Sequence, residues 1–148
     1  PDLQITFLDA LQKRISFLED ALNRLGLKAT MLHARAEDAA RMAAHREQYD
    51  AAVSRAVANA ATLQELTLPF VKKGGISIAW KGPGVAEEMT AAKRAAFLLG
   101  GTIRGTVDAP IPRREDWAHV LLLTDKTGVT PKTYPRKAGT PGKKPLGM

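Results

Sequence analysis

Apolar bursts alternate with helical patterns along this chain. Leu3 to Leu8 reads as a strand, and Ala10 to Leu25 as a helix with Leu11, Ile15, Leu18, Leu22 and Leu25 at three- and four-residue spacing, closed by Gly26. Ala29 to His33 is a second strand. An Ala-rich helix is expected from about Ala36 to Gln48, then a third strand from Ala51 to Ser54 whose apolar run continues through Ala56 to Ala58. A short helix near Thr62 to Leu68 is stopped by Pro69, and Gly74 with Gly75 turns the chain into a strand from Ile76 to Trp80. Val85 to Leu99 is helical again and ends at Gly100 and Gly101. The closing strands are Thr102 to Val107 and His119 to Thr124, the latter dense in Val and Leu as a strand buried on both faces is.

This βαβ series predicts an α/β fold with an open, mostly parallel sheet and helices on both faces. The last two strands are expected to be antiparallel, because no helix separates them. In such sheets ligands bind beyond the carboxyl ends of the strands. Four such ends are legible: Asp9; Arg35, Ala36, Glu37 and Asp38; Ser54 and Arg55; and Lys81, Gly82, Pro83 and Gly84. A carboxylate there offers two acceptor oxygens, which suits the diol of a ribose.

Each end also has a plainer reading. Asp9 with Gln12 has the outline of a capping box. Glu37 and Asp38 sit in the first turn of a helix, where the dipole favours negative charge. Arg55 interrupts the small, apolar stretch AAVSRAVA, so its guanidinium needs a carboxylate, carbonyls or a ligand. Lys81 to Gly84 is a turn by default, although a cation beside exposed glycine amides can meet phosphate. His33, His45 and His119 show no metal-ligand spacing and read as structural or surface residues. No serine or histidine has the setting of a nucleophilic triad, no catalytic residue is assigned, and no metal is expected.

Charge changes this picture at one end. Six of the 22 Lys and Arg (Lys126, Lys132, Arg136, Lys137, Lys143 and Lys144) lie at or after Lys126, leaving 16 against 15 Asp and Glu over residues 1–125. The division expected is a domain over 1–125 and a basic Pro/Gly-rich tail over 126–148. Cations on a Pro-rich segment stay extended and solvated, free to displace counterions from a phosphate backbone. Tyr134 inside that run could stack on an unpaired base. A solvated terminus with no partner has the same composition.

With 148 residues and 45% hydrophobic content the chain suits one core. It has no cysteine, so it offers no disulfide, thiol nucleophile or Cys-containing zinc site, and it fits a reducing cytoplasm. Its apolar runs fall short of the roughly 20 residues that cross a bilayer, so a soluble protein without a membrane partner is expected. Because Pro1 comes first and a strand follows at once, the chain reads as the remainder of something longer.

The segments ITFLDALQKRISFLEDALNRLGL, HARAED, YDAAVSRAVA, LPFVKKGG, AWKGP and YPRKAGTPGKKPL, in that order, resemble the RsmG family, also called GidB. The resemblance covers essentially the whole chain. It implies a Rossmann-like class I methyltransferase dependent on S-adenosylmethionine, here truncated, that methylates N7 of a guanine in 16S ribosomal RNA. It carries roles onto Asp9 near the cofactor ribose, Ala36 and Glu37 beside the adenine, and Arg55 in the cofactor pocket. The partner implied is 16S ribosomal RNA or a small-subunit assembly intermediate in the cytoplasm, gripped by Lys132, Tyr134, Arg136, Lys137, Lys143 and Lys144. The oligomeric state is left open.

One departure from the family pattern matters. The family's glycine-rich loop and helical N-terminal extension should precede Leu3 and are not found. In the family's strand order the strand before that loop lies between Leu3–Leu8 and Ala51–Ser54. A gap or altered pairing is therefore expected there, or a partner chain filling it, and the piece by itself is expected to be inactive. Two other classes stay open on the residues: a noncatalytic RNA-binding or ribosome-associated protein, and a nicotinamide-dependent oxidoreductase whose fingerprint would lie upstream.

Overall fold

The computed structural model describes residues 3–55, 58–114 and 116–148. Its elements in chain order are β1 (Thr6–Asp9), α1 (Gln12–Leu25), β2 (Thr30–His33), α2 (Ala36–Ala39), β3 (Tyr49–Arg55), α3 (Ala60–Thr67), β4 (Val71–Lys81), α4 (Val85–Leu98), β5 (Gly101–Asp108), β6 (Val120–Lys126) and α5 (Thr140–Lys143). A 3-10 turn, Leu68–Phe70, joins α3 to β4, with Pro69 inside it. The apolar run after β3 falls, at residues 56 and 57, outside the described residues.

The strands form two sheets. β1 pairs with β2 in parallel, and the other four lie in the order β3-β4-β6-β5. β3 and β4 are parallel, whereas β6 runs antiparallel to both neighbours, so β4 and β5 point the same way. The antiparallel closing pair matches the sequence expectation. β6 wedges between β4 and β5 because Leu122 and Thr124, 0% and 1% exposed, face the helices while Leu121 and Leu123 line the other side.

α3 and α4 cover one face of the larger sheet through Ala60, Leu63, Ala79, Val85, Ala92 and Leu122. Asn59 caps α3 by accepting from the Thr62 amide at 2.9 Å. The opposite face, carrying Val53, Ile78 and Leu123 in register, is more open, with Val53 75% exposed. α1 ends as its sequence predicts, at Gly26 with φ 67°, whose amide satisfies the carbonyls of Asn23 and Leu22. Of its apolar stripe only Ile15 is buried.

Two local expectations are corrected. The Ala-rich helix expected over 36–48 keeps one turn, Ala36–Ala39, then runs through further turns to Glu47 with φ 52°. Tertiary bonds win there: the Glu47 amide donates to Pro69 O at 2.9 Å, and the Arg41 and Arg46 side chains reach carbonyls of the C-terminal segment. β4 starts at Val71 rather than after the glycines. Gly75 lets β3 pass close by, since a Cβ there would lie 2.5 Å from Asp50 O. Among the described residues, no helix is long and apolar enough to cross a membrane.

Candidate functional site

β1 and β3 belong to different sheets and face each other across a cleft of about 750 Å³. The break expected between Leu3–Leu8 and Ala51–Ser54 is therefore present. Thr6 to Asp9 line one wall and Ala51 to Arg55 the other. Strand edges left apart in this way carry backbone donors and acceptors that neither sheet satisfies.

The candidate residues meet at this cleft. Asp9, Ala36, Glu37 and Arg55 all line it, together with Arg14, Arg35 and Ser54. Asp9 ends β1, its Oδ1 accepting from the Leu11 amide at 2.8 Å and its Oδ2 from Arg14 Nη1 at 3.3 Å. The capping box does not form, because Gln12 Nε2 donates to Ser16 Oγ at 3.3 Å instead. Each Asp9 oxygen keeps a lone pair for a further donor. Ser54 Oγ is buried beside the cleft and has no hydrogen-bond partner among the described residues. An orphaned polar atom on a concave wall of this size suits a small polar ligand.

Glu37 is only 6% exposed, and its Oε1 accepts from the Gly139 amide at 2.8 Å while its Oε2 lies 3.9 Å from Arg35 Nε. Its carboxylate holds the C-terminal segment over the cleft, and Gly139, Gly142 and Lys143 form part of the rim. Among the described residues Arg55 finds neither carboxylate nor carbonyl. Its guanidinium sits 5.6 Å from the Trp80 ring centroid, a cation–π contact. Lys81 is engaged, bonding Ala58 O at 3.0 Å and Glu88 at 2.9 Å, so the Lys81–Gly84 turn offers no free ammonium. His33 Nε2 lies 3.1 Å from Ala10 O, and His45 Nδ1 lies 2.7 Å from the Tyr49 hydroxyl.

The expectation of an extended, solvated tail is overturned. Arg136 lays its guanidinium on Glu65, whose side chain is 0% exposed: Nε lies 3.0 Å from Oε1 and Nη2 lies 2.6 Å from Oε2, while the Arg136 amide adds a bond of 2.7 Å. Its guanidinium is held strongly protonated by that bond and is not free for phosphate. Tyr134 is half-buried against Leu68, Ala96 and Leu99 rather than held out in solvent on an extended tail. Arg46 donates to the carbonyls of Thr130, Pro131 and Tyr134 at 2.9, 3.2 and 2.8 Å. Lys126 completes β6 with its ammonium buried on Glu47, Leu68 O and Val71 O. Burial lowers the Lys126 pKa even though Glu47 opposes the shift. Burial raises that of Glu47, but bonds from Lys126 and the Thr130 amide, with the charges of Lys126 and Arg46, hold it below the usual carboxylate value. Lys132, Lys137, Lys143 and Lys144 are exposed.

The fold has known counterparts. An rRNA methylase from Streptococcus thermophilus superposes with a TM-score of 0.56 at 13% identity, covering 84% of this chain and 74% of that one. A putative methyltransferase from Thermoplasma acidophilum does so at 0.61 and 13% identity, covering 84% and 58%. These define the class as a Rossmann-like class I methyltransferase fold.

Sequence similarity goes further. The family model for GidB, rRNA small subunit methyltransferase G, matches residues 1–110. The protein of that name from Clostridium perfringens strain 13 is 48% identical over 146 residues, and that from Leuconostoc citreum 45% over 147 residues. The alignments take in 98% and 99% of this chain and 61% of each relative. The chain belongs to the rRNA small subunit methyltransferase G family and spans about 61% of the length of these curated relatives.

Proposed function

We propose that this chain forms the greater part of the cofactor cleft and the RNA-facing surface of an S-adenosylmethionine-dependent methyltransferase acting on N7 of a guanine in 16S ribosomal RNA. The observation that carries the reading is the meeting of Asp9, Ala36, Glu37 and Arg55 at one cleft beyond the carboxyl ends of β1, β2 and β3. Its volume, about 750 Å³, lies within the range of small-molecule sites. Asp9 would accept the ribose hydroxyls, the Ala36–Glu37 backbone would flank the adenine, and Arg55 would close the polar side of the pocket. Bound S-adenosylmethionine supplies an electrophilic methyl group on a sulfonium.

Guanine N7 carries a lone pair and no proton, so the cleft residues need not remove one. This accords with the two carboxylates at the cleft, which are already engaged: Asp9 with Leu11 and Arg14, Glu37 with Gly139. The chain's own contribution is then alignment and exclusion of water. The exposed ammonium groups of Lys132, Lys137, Lys143 and Lys144 would meet RNA phosphates, and Lys143 stands at the cleft rim. The target guanine would enter unpaired or extruded, since it is hard to reach inside a duplex.

The gap between β1 and β3 has its own place in this reading. A parallel strand set between them would pair both edges, and its carboxyl end would deliver the family's glycine-rich loop beside Asp9 and Arg55. The 148 residues alone would then bind cofactor poorly. Calorimetric titration with S-adenosylmethionine tests this, using the chain as it stands and a version extended ahead of Leu3 with the matching segment of the Clostridium perfringens relative. Methyl transfer to small-subunit RNA by the extended version, lost in Arg55→Ala, is the expected activity.

A further inference from the structure

The molecule carries a feature that the cofactor cleft does not absorb. Arg55 and Trp80 are register partners at the carboxyl ends of β3 and β4, and their side chains share one sheet face. From Trp80 the aromatic groups continue along the same edge. The Trp80 and His119 rings lie 6.1 Å apart, and those of His119 and Trp117 5.8 Å apart. Arg114 then lies 3.7 Å over the Trp117 ring. Five π-bearing groups thus run from the cleft wall outward, with a guanidinium at each end.

The fold has a reason to put them together. β6 starts at Val120, opposite Lys81, so His119 must stand next to the end of β4. β5 ends at Asp108, paired with the same Val120, so the connection between β5 and β6 lies at this edge too. The Ala109 amide donates to His119 O at 2.9 Å, the Trp117 amide to Arg114 O at 2.9 Å, and the His119 amide to Trp117 O at 2.8 Å, which draws Trp117 and Arg114 alongside. Trp117 remains 41% exposed and Arg114 is exposed, its one ion pair among the described residues being a distant 3.7 Å contact with exposed Asp116. An exposed tryptophan and two exposed arginines do not serve a core. Indole, imidazole and guanidinium planes are the surfaces on which unpaired bases stack, and the terminal cations attract the phosphates between those bases.

We infer that the row Arg55, Trp80, His119, Trp117 and Arg114 is a stacking platform for the unpaired nucleotides next to the base that enters the cleft. The inference rests on the RNA-substrate reading above. It adds where the strand runs: along the edge from β3 to the connection after β5, with Arg55 shared between cleft and platform. The tilted rings, with interplanar angles of 58° and 48°, present edges and faces in turn, so the platform takes bases without reading their identity.

Both tryptophans of the chain belong to this row, so intrinsic fluorescence reports on it directly. The experiment titrates the full chain with a single-stranded oligoribonucleotide and with an abasic strand of equal length and charge. The base-bearing strand should quench the emission and the abasic strand should not. Trp117→Ala should weaken binding of the base-bearing strand by about 5- to 150-fold, and Trp117→Phe should recover most of that loss. The slope of log affinity against log salt should stay unchanged, since no phosphate contact is removed. Equal quenching by both strands, or binding unaltered in Trp117→Ala, overturns the platform and leaves the cofactor reading intact. Failure of the single strand to bind the chain overturns the platform and the RNA-facing role together, whereas failure of cofactor titration alone strikes only the cleft.

Discussion

Replacing Arg136 by Met should destabilise the protein far more than a surface arginine would. Its guanidinium covers Glu65, a carboxylate with no exposed side-chain surface, through contacts of 3.0, 3.1 and 2.6 Å, and it also donates to Lys144 O at 2.7 Å. Removing one partner of a buried pair leaves the other charge uncompensated, which costs about 3 to 5 kcal/mol. The Arg136 amide still donates to Glu65 Oε1, so the lower half of that range is expected. At this chain length each kcal/mol lowers the melting temperature by about 2 to 4 °C. Urea denaturation of the wild type, Arg136→Met, Glu65→Gln and the double variant would measure the coupling directly. The double variant should regain a good part of the loss, because Gln leaves no buried charge behind. A loss under about 1 kcal/mol in Arg136→Met would refute the clamp, being the value of an exposed pair, and would return Arg136 to the set of cations available for RNA.

Three further outcomes follow from the same structure. Glu47 titrates below the ordinary carboxylate value when folded, so it adds stability above that value and loses it as pH falls through the folded pKa; Glu47→Gln should flatten the acid limb of the stability curve, and an unchanged limb would refute the assignment. Replacing Lys132, Lys137, Lys143 and Lys144 together should reduce the salt slope of single-strand RNA binding by roughly 0.7 per lost phosphate contact, about 3 in all, with the melting temperature held because all four are exposed; an unchanged slope would leave these lysines as solubilising groups. Arg55→Ala, measured in the extended version, should weaken S-adenosylmethionine binding about tenfold or more, while thermal stability barely moves, since a partly exposed cation–π contact is worth about 0.5 to 1 kcal/mol.

Much of the fold was legible because it is written in local periodicity. The stripe of α1, its Gly26 stop and the antiparallel closing strands need only spacing and turn residues. The cleft residues were legible for a related reason: polar groups at strand ends converge on one edge of an α/β sheet. What composition misread was the C-terminal segment, where six cations and four prolines suggest a solvated tail. Its anionic partners lie far away in sequence, buried Glu65 on α3, buried Glu37 on α2 and half-buried Glu47 before β3, and no pattern within the tail announces them. Likewise the Ala-rich stretch over 36–48 suggests a continuous helix, yet the bonds of Arg41 and Arg46 to the tail carbonyls outweigh continuing it. The row of Trp80, His119 and Trp117 was invisible for the same reason, since strand order, not sequence proximity, brings the end of β4 beside the start of β6.

The most direct test of the central claim is calorimetric titration of S-adenosylmethionine into the 148-residue chain and into the version extended ahead of Leu3 with the segment of the Clostridium perfringens relative proposed above. Binding in the extended version, strongly reduced by Arg55→Ala, with none detectable in the unextended chain, is the predicted result. Absence of binding in both versions would contradict the assignment of Asp9, Ala36, Glu37 and Arg55 to a cofactor site. Equally tight binding in both would contradict the reading of the gap between β1 and β3 as the place of a further strand.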